Sequence, residues 1–201
     1  MKYPENIKEL WKLPIDYMGL IFYAKSPRYA ETLDKSDLMV MPEYIERVGV
    51  FVNPMIDYVL EKTIQYKLNM VQLHGNESGG FCQKVSKSVP VIKAFSISNI
   101  ADIEHANGYE DTCKFFLFDT KTPQYGGSGV KFDWKILDAY TGNTPFFLSG
   151  GISADDAEAI LKIKHPMFYG IDLNSKFETE PGLKNIDLLK QFIKQVRDEQ
   201  N

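Results

Sequence analysis

Along this chain, short runs that are apolar on both alternating faces take turns with longer stretches whose apolar residues recur at helical spacing. The short runs read as strands covered on both sides, the longer ones as amphipathic helices. Seven strands are expected: residues 17–23, 46–52, 69–73, 91–94, 115–118, 145–148 and 167–173. Eight helices separate them. Residues 4–13 open on a first-turn Pro and put Ile7, Leu10 and Trp11 on one face. A weaker pattern covers 34–41. Asn53 is the expected cap of 54–66, where Met55, Tyr58 and Val59 share a face. Asn76 and Glu77 open a helix to about residue 85, and 98–105 and 132–140 follow. Ser153 caps 154–163, with Asp155 and Asp156 in a dipole-favoured first turn. Residues 185–199 close the series with Ile186, Leu189, Phe192, Ile193 and Val196.

Strict alternation of strand and helix implies a parallel sheet. Eight repeats imply a closed (β/α)8 barrel, the TIM barrel, near the compact end of its size range. Such a barrel begins with a strand, and this chain begins with a helix. The expected fold is therefore a TIM barrel whose first strand is missing from this chain, seven strands with eight helices, in one domain spanning 1–201. A seven-stranded open sheet is the alternative.

Composition narrows the function. The 201 residues are 44% hydrophobic and 25% charged, ordinary for a globular domain with a sizeable core. A formal charge of -4 and no basic stripe with interleaved aromatics argue against nucleic acid. Met1-Lys-Tyr-Pro-Glu-Asn has no signal-peptide pattern, and no apolar run approaches the roughly 20 residues of a membrane helix. A cytoplasmic location is expected. Cys82 and Cys113 have no metal-type spacing, nor do His74, His105 and His165, so the thiols read as reduced and no metal is expected.

In such barrels chemistry sits at the carboxyl ends of strands. The most informative end is Phe115-Phe-Leu-Phe-Asp119, an apolar run that stops at a carboxylate, followed by a polar loop containing Gly126-Gly-Ser-Gly129. Arg28, after the first strand, has the fork geometry to hold a carboxylate or phosphate, although composition alone favours a solvated surface arginine. His74 and Gly75 end the third strand, where a lone His serves more often as a hydrogen-bonded structural residue. Lys93 is expected as a salt-bridge partner in the barrel mouth. Ser149-Gly-Gly-Ile-Ser153 follows the sixth strand. Asp172-Leu-Asn-Ser-Lys-Phe-Glu178, then Pro181-Gly182, follow the seventh. Small residues there let backbone N–H groups approach a phosphate beside a helix start.

Taken in order, Gly19-Leu-Ile-Phe-Tyr-Ala-Lys-Ser-Pro-Arg-Tyr29, Val48-Gly-Val-Phe-Val-Asn53, Val71-Gln-Leu-His-Gly75, Phe118-Asp-Thr-Lys-Thr122, Phe132-Asp-Trp134, Leu148-Ser-Gly-Gly151 and Gly170-Ile-Asp172 resemble the phosphoribosylanthranilate isomerase family of tryptophan biosynthesis. The resemblance covers nearly the whole chain. It implies a TIM barrel and an Amadori rearrangement of N-(5-phosphoribosyl)anthranilate to 1-(2-carboxyphenylamino)-1-deoxyribulose 5-phosphate, without metal or organic cofactor. It implies Asp119 as the general acid on the furanose ring oxygen. That acid must keep a proton at neutral pH, which calls for a partly desolvated setting. Arg28 would hold the anthranilate carboxylate and His74 would sit in the substrate site. Asp172 would hydrogen-bond near the sugar, and Gly151, Asn174 and Ser175 would offer donors to the phosphate.

Two departures from the family pattern stand out. Asn174-Ser-Lys176 replaces the usual Ser-Ser-Gly, with Lys176 offering charge toward the phosphate. The family's general base, a cysteine in a Lys-x-Cys-Gly motif ending the first strand, has no counterpart here. Cys82 falls in a helix and Cys113 ahead of the fifth strand, both away from the mouth. The expectation is a chain that starts just after the catalytic cysteine and turns over weakly or not at all. The alternative is a non-catalytic barrel relative that binds a phosphorylated ligand. The expected partner is a small phosphorylated substrate, and the chain is a monomer or homodimer that associates through the open barrel edge.

Overall fold

In the computed structural model, residues 1–30, 33–120 and 132–198 are described. Seven strands form one parallel sheet in sequence order: β1 (Tyr17–Ile21), β2 (Glu46–Phe51), β3 (Met70–Leu73), β4 (Val91–Ile97), β5 (Phe115–Thr120), β6 (Phe146–Leu148) and β7 (Phe168–Ile171). Between them run α1 (Pro4–Leu10, ahead of β1), α2 (Lys35–Met39), α3 (Ile56–Tyr66), α4 (Gly79–Ser86), α5 (Ile100–Glu104) and α6 (Ala157–Leu161). A short antiparallel pair, β8 (Glu178–Glu180) and β9 (Leu183–Lys184), precedes α7 (Ile186–Asp198).

Alternation along the strands builds two apolar layers. Val48, Met70, Ile92, Ala94, Phe115, Leu117 and Phe147 cluster on the inner face, with Tyr17 packed against them. The intervening residues, among them Phe51, Val71, Leu73, Phe116, Phe118, Phe146 and Leu148, join the larger cluster under the helices. The sheet curls until its first and last strands face each other. The Tyr17 ring lies edge-on to Phe147 at 5.4 Å, and its hydroxyl is 3.1 Å from that of Tyr169. β1 and β7 are nevertheless not hydrogen-bonded neighbours. The barrel is one strand short of closure, as the chain's grammar predicts.

Several local expectations change. Asn53 does not cap the third helix. It adopts φ 47, and its Oδ1 accepts from Asn76 N at 2.7 Å, tying the loop after β2 to the loop after β3. The following Pro54 disfavours a right-handed helical conformation at Asn53, and Asn tolerates the left-handed one. The cap of α4 is Ser78, whose Oγ accepts from Phe81 N, rather than Asn76. Residues 132–140 contain a 3-10 segment, Trp134–Ala139, capped by Asp133. Residues 154–163 begin with 3-10 geometry rather than a regular helix, and Ser153, the expected cap, shares a capping box with Asp156. Lys93 points to the outer layer rather than the mouth. There its Nζ meets Glu77 at 3.1 Å and the carbonyls of Leu73, Gly75 and Ala94.

Candidate active site

Strand alternation decides which side chains reach the mouth. Phe115 and Leu117 face the barrel interior, so Asp119, two residues further on, faces it too. Asp119 pairs in register with Ser96 on β4, so its backbone belongs to a continuous ladder. Its side chain is 17% exposed and that of His74 21%.

Two hydrogen bonds fix the geometry of this carboxyl group. His74 Nε2 lies 3.1 Å from Asp119 Oδ2, and His74 Nδ1 lies 2.8 Å from Gln72 Nε2. An amide nitrogen only donates, so Nδ1 accepts and the imidazole proton resides on Nε2. His74 therefore donates to Oδ2 of Asp119 rather than to its second oxygen. That second oxygen, Oδ1, lies beside Gly150. A Cβ at Gly150 would stand 2.6 Å from it and collide with Thr120 N and Oγ1. Gly150 also has φ 91, so this position excludes other residues on two grounds.

The next strands continue the mouth. Ser149 Oγ donates to Asp172 Oδ2 at 3.1 Å. Burial pushes the Asp172 carboxyl up from its ordinary range and Asp119 adds to this, against the pull of Lys184. Gly151 has φ 70 and precedes the capped start of α6, while Asn174 and Ser175 begin the 3-10 turn Ser175–Phe177.

Arg28 is held by a forked ion pair. Its Nε and Nη2 donate to Glu178 Oε2 at 2.8 and 2.6 Å, and Nε also reaches Oε1 at 3.1 Å. The solvated-arginine alternative fails, since its side chain is only 13% exposed. Its Nη1 side takes no part in that ion pair and remains directed by it. Glu178 also accepts from Lys184 Nζ at 3.3 Å and from Gly182 N at 3.1 Å. Lys184 Nζ further donates to the Leu173 carbonyl and to Asn174 Oδ1 at 2.9 Å. Burial tends to raise the Glu178 carboxyl, but Arg28 and Lys184 outweigh it and hold the group below its ordinary range. Burial lowers the Lys184 ammonium, against Glu178 and Asp172.

One cavity of about 820 Å³ collects all seven expected residues on its wall: Arg28, His74, Asp119, Gly151, Asp172, Asn174 and Ser175. It continues between β1 and β7 down to Leu189, Phe192 and Val196 of α7. Lys176 is exposed and does not line the cavity, whereas Lys184 does. Sequence reasoning missed Gln72, Ser149, Glu178 and Lys184. Strand alternation could have supplied the first two, which share the inward face with His74 and Asp172. Glu178 and Lys184 flank the Pro181-Gly182 turn and meet through it. The glycine loop 126–129 lies outside the described residues. Among the described residues no group of three metal-ligating side chains gathers, and no helix is long and apolar enough to cross a membrane.

Known proteins resemble this chain in sequence and fold. A family model described as N-(5'phosphoribosyl)anthranilate (PRA) isomerase matches residues 1–195. An N-(5'-phosphoribosyl)anthranilate isomerase from Parabacteroides distasonis is 49% identical over 199 residues, 98% of this chain and 90% of that protein. The crystal structure of phosphoribosyl anthranilate isomerase from Thermotoga maritima has a TM-score of 0.85 at 34% identity, covering 98% of this chain and 96% of that one. A further isomerase of the same kind, solved in complex with reduced 1-(o-carboxyphenylamino)-1-deoxyribulose 5-phosphate, has a TM-score of 0.81 at 30% identity over 98% of this chain and 95% of that one. This chain belongs to the N-(5'-phosphoribosyl)anthranilate isomerase family, the isomerases of tryptophan biosynthesis.

Proposed function

We propose that the mouth of this barrel carries out the Amadori rearrangement of N-(5-phosphoribosyl)anthranilate, with Asp119 as the acid. Asp119 Oδ1 gives its proton to the furanose ring oxygen. The C1–O bond breaks and the anthranilate nitrogen lone pair forms the protonated Schiff base. Loss of the C2 proton gives an enolamine, which tautomerises to the ketone. The observation that carries this reading is the His74–Asp119 hydrogen bond inside a cavity that also holds Arg28 and the two loops after β6 and β7.

The remaining roles follow from placement. Arg28, kept in position by Glu178, turns its Nη1 edge to the anthranilate carboxylate. Backbone donors at Gly151, Asn174 and Ser175 take the phosphate, with Lys184 behind Asn174 supplying positive charge. Asp172, fixed by Ser149, hydrogen-bonds the sugar. The ligand class is that of the solved relative's product analogue.

Removal of the C2 proton needs a base within hydrogen-bond reach. Cys82 is buried on α4 and Cys113 precedes β5, so neither thiol stands at the mouth. Turnover by these 201 residues is accordingly slow, by about 10²–10⁴-fold for a lost general base. The edges of β1 and β7, which pair with no further strand among the described residues, also invite monomer–homodimer exchange. The test is a rearrangement assay on this chain and on the same chain carrying an added amino-terminal strand that ends in Lys-x-Cys-Gly. The added strand should raise kcat by that factor. An extended chain that is no more active, yet binds the product analogue, would replace this reading with that of a non-catalytic phospho-ligand-binding barrel.

A further inference from the structure

The ladder joining β2, β3 and β4 ends at Leu73, which registers with Phe51 on one side and Lys93 on the other. His74 is the next residue, beyond the last register pair of β3. Its backbone N–H still donates to the Phe51 carbonyl at 2.8 Å. Around this position a buried ion pair closes. Lys93 Nζ and Glu77 Oε2 stand 3.1 Å apart, and both side chains are buried.

The backbone on either side of His74 supplies the other partners of this pair. Lys93 Nζ donates to the Leu73 carbonyl at 3.1 Å and to the Gly75 carbonyl at 2.7 Å, and it also reaches the Ala94 carbonyl at 2.9 Å. Glu77 accepts from Gly75 N at 2.9 Å and from Asn53 N at 2.8 Å. Gly75 sits so close to Asn53 that a Cβ there would stand 2.8 Å from Asn53 N and would also strike Asn53 Oδ1. That oxygen accepts from Asn76 N. One cation and one carboxylate thus hold both flanks of His74, while its ring bridges Gln72 and Asp119. Two buried charges gain little stability over a well-packed apolar pair. An apolar pair could not supply fixed donors and acceptors to the backbone at residues 53, 73 and 75.

We propose that Glu77 and Lys93 are a positioning pair for the isomerisation, holding the His74 imidazole so that its Nε2–H meets Asp119 Oδ2. The proposal rests on the reading of Asp119 as the acid. Neither Glu77 nor Lys93 lines the cavity, so both act through His74. A hydrogen bond weakens steeply as its angle closes, so a small rotation of the His74 backbone is enough to lose the contact with Asp119.

The test replaces the pair by apolar residues of similar length, Glu77→Met/Lys93→Met, and separately makes Glu77→Gln, which keeps an oxygen for Asn53 N and removes the charge. Imidazole 15N spectra of the 201-residue chain are recorded at about pH 8, above the ordinary imidazole range, with His74→Ala to assign the signals. They need no turnover. The values of kcat and KM are measured in the extended chain. In the parent, His74 should show a single tautomer with its proton on Nε2. The double variant should unfold cooperatively, yet its His74 signals should average over both tautomers, and kcat should fall about tenfold with KM unchanged. Glu77→Gln should be intermediate, and it decides alone if the double variant does not fold. A parental His74 spectrum in the folded variants, or a displaced ring with kcat unchanged, would overturn the proposal. Asp119→Asn separates the two readings: undiminished turnover there refutes the acid, whereas the His74 spectra judge the pair regardless of it.

Discussion

The two sides of the mouth are built by different forces. On the β3–β5 side, backbone ladders set the geometry: six register pairs join β4 to β5, and Asp119 rides on the last but one of them. Where β1 faces β7 there is no ladder between the strands. Side chains hold that seam instead, with Glu178 gathering Arg28, Lys184 and Gly182, and Tyr17 touching Tyr169. Backbone ladders place an acid to fractions of an ångström and are indifferent to side-chain identity. A seam of buried charges depends on each partner. Asp119 thus sits on the self-sufficient side, while Arg28, on the other, depends on one glutamate.

The largest expected effect tests that glutamate. Its side chain is 4% exposed, against 13% for Arg28 and 9% for Lys184. Glu178→Ala leaves two buried cations unpaired and should cost about 3–5 kcal/mol in urea unfolding. A loss no larger than that of an ordinary surface change would mean the seam is held otherwise. The pH dependence has a defined sign. The folded carboxyl lies below its ordinary 4.5, so its contribution is complete above that value and disappears as pH falls through the lower folded value. Glu178→Gln should remove this acid limb from the stability profile.

On the ladder side, His74→Ala removes the donor to Asp119. Losing one charge-assisted hydrogen bond of about 1.5–3 kcal/mol should lower kcat by about 10–100-fold in the extended chain, with KM little changed. A shift confined to KM would make His74 a binding residue only.

Asp172 gives a smaller effect of opposite sign on stability. Its carboxyl is raised in the fold, so the native state is penalised once pH exceeds the ordinary 3.8, and the penalty is complete above the folded value. Asp172→Asn should therefore be more stable than the parent at neutral pH, with the advantage gone below pH 3.8, while turnover falls. Equal stability at all pH values would contradict the burial argument. The smallest change is Tyr17→Phe, which removes a 3.1 Å hydroxyl contact at the exposed end of the seam and should cost about 0.5 kcal/mol.

The contrast between the two sides also explains what the sequence reveals. Strands of the ladder side are legible because both faces are apolar, as in Phe115–Phe118, and a carboxylate that ends such a run is conspicuous. The helix expected at 132–140 is a six-residue 3-10 segment, since its start at the Asp133 cap and its end at Ala139 leave too little chain to repay helix nucleation. The β8–β9 pair escapes notice because strands of three and two residues carry no alternation, and Pro181-Gly182 reads equally as a ligand loop. Arg28 is recognisable as a candidate, but its partner Glu178 lies 150 positions away, and nothing periodic links them. Asn53 shows the same limit: its residue type fits a cap, yet its job is to bridge to Asn76.

The most direct test of the account replaces one atom pair. In the extended chain with its added Lys-x-Cys-Gly strand, Asp119→Asn keeps the acceptor for His74 and removes the transferable proton. The account predicts an intact fold and a fall in kcat of about 10²–10⁴-fold. Turnover equal to that of the unsubstituted extended chain would contradict it.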